Sequence, residues 1–130
     1  MTKEWYKSKG YQIGLEGTQE VIDRAEREVK VAYIDPILPN ADLEDNSVKQ
    51  CLADLAYMRM LQITLFVTRS GAKEKFGDHS SNASGDAKFN EQGRVAASAV
   101  DALRLMPGAN ATAKVNDICY LFFKSIYFYQ

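Results

Sequence analysis

The chain has 130 residues, 46% of them apolar and 25% charged, with a formal net charge of −1. That length fits one domain with a core of its own, and that charge gives no broad attraction to nucleic acid or to an anionic membrane. The two cysteines, Cys51 and Cys119, are far apart, and there is a single histidine. This pattern excludes a disulfide scaffold and an ordinary zinc site.

Residues 1–17 read as a flexible, irregular arm. Trp5, Tyr6 and Tyr11 are interspersed with lysines, and Gly10, Gly14 and Gly17 interrupt any helix. Trp5 and Tyr6 are candidate contact residues for a partner, because aromatic side chains bury large areas at interfaces. Lysines in the first ten residues, without an apolar run, argue against a secretory signal.

Thr18–Ile34 reads as the first helix. Thr18 suits the N-cap, and Val21, Ile22, Ala25, Val29 and Tyr33 recur at steps of three or four, giving one apolar stripe. Charged residues cover the rest, with Asp23–Arg27 and Glu26–Lys30 spaced to pair along the helix. Asp35-Pro36 is expected to end it, since proline disfavours the helical conformation in the residue before it. An acidic linker follows.

Ser47–Ser70 reads as a long second helix, opened by a capping box of Ser47 and Gln50 and closed by Gly71. Its apolar surface is wider than one stripe, the mark of a helix buried on several sides. Arg59, within it, is either a paired charge or part of a second, assembly face. Gly71–Phe89 reads as a long exposed loop carrying Lys73, Lys75, Asp78 and His79. A third helix is expected over about Asn90–Leu105, stopped by Pro107-Gly108.

The C-terminal residues 114–130 fit a helix or a strand. A short helix near Val115–Phe123 with an extended end is the reading preferred here. The aromatics of this stretch cannot all face one small core, so Tyr127 and Tyr129 join the candidate contact residues.

The whole is an all-α domain: a small bundle of three to four helices with a long central helix, an arm (1–17), a helical core (18–106) and a C-terminal segment (107–130). No stretch reads as a membrane span. Asp78, His79 and Ser80 are adjacent, but sequence neighbours rarely align as nucleophile, base and orienter, and the chain holds no nucleophile elbow, phosphate loop or dinucleotide fingerprint. An enzyme and a cofactor are not expected. A DNA-binding reading has little support, because the third helix offers only Arg94 and Arg104.

The order of arm, amphipathic helix, proline loop, buried helix and return helix, with Gly71, Gly77, Asp78 and Ser80 in the intervening segment, resembles the small head–tail connector (head-completion or adaptor) proteins of tailed phages. The likeness covers about residues 18–106; the chain departs from the family in its insert Asn82–Lys88 and its aromatic C-terminus. The resemblance implies a non-enzymatic virion protein, in the phage particle or in the cytoplasm of a bacterium carrying a prophage. It would join into a ring by heterologous contacts and meet the portal and the tail-completion proteins, without specific nucleic-acid binding. The alternative is a small bacterial helical adaptor or regulator that binds one protein partner.

Overall fold

The computed structural model describes residues 1–71 and 80–117, and side chains within 1–64 and 89–117. The elements are α1 (Lys3–Ser8), α2 (Gln19–Val29), a π turn over Lys30–Ile34, α3 (Asp35–Ile37), α4 (Asn46–Gly71) and α5 (Ser80–Arg104). No strand occurs among the described residues, so the fold is all-α. None of their helices is long and apolar enough to cross a membrane.

The Thr18 hydroxyl caps α2, accepting from the Val21 N–H at 3.3 Å. Ile22, Ala25 and Val29 then fall on one face, and all three are fully buried. That face packs on α4, and α5 packs on another side of α4. Helix α4 is therefore the centre of the bundle. From Cys51 to Met60 every residue except Asp54 is buried. Burial on several sides explains why α4 shows no single apolar stripe. Each fully buried Ile or Leu, such as Ile22, Leu55 or Leu103, contributes about 1.5–3 kcal/mol of transfer free energy. Ala53 and Ala56 on α4, and Ala96 and Ala99 on α5, keep the helix surfaces low enough for close packing.

Several expectations need correction. Residues 1–17 are not a flexible arm. The Thr2 hydroxyl accepts from the Trp5 N–H at 3.0 Å and caps α1, and Tyr6 is fully buried. The glycines come after the helix rather than inside it; Gly10 ends it with φ +94°, a conformation glycine adopts without strain. Packing of the aromatic rings holds the segment down where local propensity alone does not.

Pro36 does not end the first helical stretch. The chain passes through the π turn and continues as α3, with the Leu38 N–H on the Ile34 carbonyl at 2.7 Å. In an α-helix the proline ring meets the carbonyl four residues earlier; the wider π turn just ahead of it relieves that clash. Helix α4 is capped by Asp45 rather than Ser47. One Asp45 carboxylate oxygen accepts from the N–H groups of Ser47 and Val48, at 2.9 and 3.2 Å. A carboxylate two residues earlier serves a helix N-terminus as well as a hydroxyl and adds a favourable charge.

Helix α5 begins at Ser80 rather than near Asn90, so the connection from α4 is much shorter than Gly71–Phe89. The small polar residues there do not prevent helix, because propensity is a weak constraint against a run of this length. Past α5, Gly108 turns the chain with φ +82°, and residues 113–117 are neither helix nor strand. The remainder of the segment placed at 114–130, with Cys119, lies outside the described residues.

Candidate functional site

Three groups of polar side chains surround α4. At the amino-terminal side, four rings stand in series: Trp5, Tyr6, Tyr11 and Tyr57, with centroid separations of 5.2, 5.3 and 5.1 Å, each pair edge to face. Their hydroxyls are all bonded. Tyr6 donates to Glu26 at 2.7 Å, Tyr11 to Asp54 at 2.6 Å, and Tyr57 to the Gln12 carbonyl at 2.9 Å. Burial, reinforced by the Glu26 carboxylate, pushes the Tyr6 phenol far up; burial and Asp54 do the same to Tyr11. Both phenols stay protonated, so this group is a pin for residues 1–17 rather than a proton-transfer relay.

The second group lies between α2 and α4. The Arg59 guanidinium, 1% exposed, donates to Glu28 at 2.6 Å and to Gln62 at 2.8 Å, and Arg24 meets the other Glu28 oxygen at 2.7 Å. This settles the choice left open for Arg59: it is a paired charge, closed inside the molecule. Of the charge pairs expected along α2, neither forms. Glu26 instead takes Tyr6 and the Met1 ammonium, the latter at 2.8 Å, and Lys30 reaches Asp35 at 2.9 Å. Tertiary partners outcompete the small gain of an exposed pair along a helix.

The third region differs from both. Between the first half of α4 and the second half of α5 runs an open groove of about 750 Å³. Gln50, Cys51 and Asp54 form its α4 wall. Ser98, Ala99 and Ala102 line its α5 side together with the apolar Val95, Leu105 and Met106. Leu105 is 87% exposed, among the most exposed large apolar side chains described. Burial pushes the Cys51 thiol up to about 11, which keeps it a neutral, slow nucleophile. Burial also raises the Asp54 carboxyl above its usual value, against the lowering effect of its bonds from Tyr11 and Gln50. Both bonds fall on Oδ1, at 2.6 and 3.2 Å, so Oδ2 is left to accept from something else.

Of the candidate contact residues named from the sequence, Trp5 and Tyr6 lie among the described residues, and their rings pack edge to face. Trp5 is half-buried, with the Lys9 ammonium 5.8 Å from its ring centroid, and Tyr6 has no exposed surface to offer a partner. Lys73, Lys75, Asp78, His79, Tyr127 and Tyr129 lie outside the described residues. No group of His, Cys, Asp and Glu side chains among the described residues could hold a metal ion. The groove residues were missed by sequence reading. Asp54 registers there only as a charge that interrupts an apolar run, and Leu105 only as the end of the third helix.

Comparison with family models, with curated proteins and with solved structures finds no match for this chain.

Proposed function

We propose that this is a non-enzymatic structural protein that works by binding other protein chains, and more specifically a head–tail connector that joins a phage portal to the tail. The observation that carries the reading is the open α4/α5 groove with Leu105 at its margin. An exposed apolar edge over small residues suits a packing surface for another chain. Its titratable groups suit catalysis poorly, since a thiol raised to about 11 is unreactive at neutral pH. The order of helices and the Gly71, Gly77, Asp78 and Ser80 pattern support the connector form of the proposal. In that form, copies contact one another head to tail and close into a ring beneath the portal.

Co-expression of the full chain with a phage portal protein, followed by native mass spectrometry, tests this. The expected result is a multi-copy ring of this chain on the portal. Absence of any complex at high concentration would overturn the connector form. A single one-to-one complex with a different neighbouring protein would favour the small-adaptor form instead.

A further inference from the structure

Residues 1–13 are fastened to the body of the molecule by contacts with residues much further along the chain. Tyr6 reaches Glu26 at 2.7 Å, Tyr11 reaches Asp54 at 2.6 Å, and the Tyr57 hydroxyl donates to the Gln12 carbonyl at 2.9 Å. At the surface the Lys3 N–H meets the Gln19 side-chain carbonyl at 3.1 Å. These partners all lie beyond Gly14–Gly17, the short turn that joins the segment to α2. The turn is closed by the Gly17 N–H on the Gly14 carbonyl at 3.1 Å and the Thr18 N–H on the Glu16 carbonyl at 3.0 Å. The Lys3 ammonium donates to the same Gly14 carbonyl at 3.1 Å. Closure depends on position 17 having no side chain, because a Cβ there would collide with the Ile13 Cγ2 methyl. Within the turn Leu15 is 91% exposed, more than any other large apolar side chain among the described residues, so the closed turn leaves it in water.

We infer that residues 1–13 are an exchangeable segment: the Gly14–Gly17 turn opens, and two copies of this chain each seat the segment of the other, forming a reciprocal dimer. The seat on α2 and α4 already shows what fits it, because the segment it holds within one chain is identical to the one a second copy would bring. The bonds through Tyr6, Tyr11 and Gln12 do not require both sides to belong to one chain. Exchange preserves them and gives up only the exposed bonds of the turn, which water replaces at little net loss. A short linker whose closed form leaves no room for a side chain is the kind that favours exchange over closure. Extended, Gly14–Gly17 reaches about 13 Å, and in a two-fold dimer the two linkers run past one another, which brings Leu15 of each copy against the other. That contact removes from water the apolar side chain that the closed turn exposes. The inference goes beyond the connector reading and does not depend on it, since two copies can exchange segments without a portal.

Analytical ultracentrifugation of the full chain over a wide range of concentration is expected to show a monomer giving way to a dimer. Gly17→Ala, which blocks closure of the turn, is expected to tighten that dimer about tenfold or more. A flexible Gly/Ser insertion after Leu15, which lets the turn close without strain, is expected to return the chain to monomer. Should Gly17→Ala fold poorly, deletion of the exposed Leu15 and Glu16 blocks closure by shortening the linker instead. Exchange is told apart from ordinary association by co-expressing a Lys3→Cys chain with a Gln19→Cys chain and applying a short thiol cross-linker. Positions 3 and 19 are neighbours across the segment and its seat, so a link between the two chains at these positions, mapped by mass spectrometry, is the expected product. A Gly17→Ala or shortened chain that stays monomeric at every concentration, a dimer without that link, or a longer linker that leaves the dimer unchanged overturns the inference. A ring on a portal from a chain that never exchanges its segment refutes this proposal and spares the connector reading; the linked dimer without any portal complex does the reverse.

Discussion

The two sides of α4 handle polar groups in opposite ways. On the α2 side, Arg59 is nearly inaccessible, and its guanidinium is held by Glu28 and Gln62. On the α5 side, Asp54 is half-exposed, keeps one oxygen unengaged, and borders a groove with an apolar margin. A buried charge must be fully paired because removing one partner leaves it stranded in a poor solvent. A half-exposed carboxylate carries no such demand and is free to meet a ligand. One helix thus supplies both a closed structural seam and an open surface, and the difference lies in which side the chain itself covers.

The contrast can be broken most sharply at Glu28. Glu28→Gln removes the carboxylate that the buried Arg59 meets at 2.6 Å and should lower unfolding stability by about 3 kcal/mol, the low end for such a break because Glu28 keeps part of its surface in water. Urea denaturation measures it; a loss below 1 kcal/mol would mean the seam is not sealed. Next in size is Tyr11→Phe, which removes the hydroxyl bonded to Asp54 and should cost about 1–2 kcal/mol in the same assay.

The pH response of Asp54 sharpens the open side. Its carboxyl is raised in the folded state, so the native protein holds that proton more readily than the unfolded chain does. Stability attributable to Asp54 therefore rises as pH falls from neutral through its raised value toward 3.8, and the cost is fully present above that value. Relative to Asp54→Asn, the natural chain should gain stability between pH 7 and pH 4; a parallel pair of curves would contradict the assignment. Smallest of all is Ala102→Leu. Added at an exposed position, it should change stability by no more than about 0.5 kcal/mol, in contrast to Glu28→Gln.

The all-α architecture and the central place of α4 were legible because they depend on periodicity. Ile22, Ala25 and Val29 mark one face of α2, and the broad apolar girth of Cys51–Met60 announces burial on several sides. The Thr18 cap and the stop at Pro107-Gly108 were legible for the same local reason. The packing of residues 1–17 was not, because it depends on Tyr6 reaching Glu26 and Tyr11 reaching Asp54 across 20 and 43 positions. The groove was hidden for a related reason. Whether Ala102 and Leu105 face a neighbour or solvent is decided by where α4 ends up, and no pattern within α5 records that.

The π turn at Lys30–Ile34 holds one more residue per turn than the helices on either side, so it behaves as a single-residue insertion spliced into a continuous helix. It resets the angular phase of everything that follows by about a third of a turn. Ile37 lies in the core after that reset, and the Asn110 N–H reaches its carbonyl at 2.7 Å, tying the exit of α5 to the end of α3. Deleting Val31, whose side chain is 68% exposed, would remove almost no packing of its own. It would nevertheless rotate Ile37 away from that position, making the phase of the backbone, rather than any side chain, the thing this segment contributes.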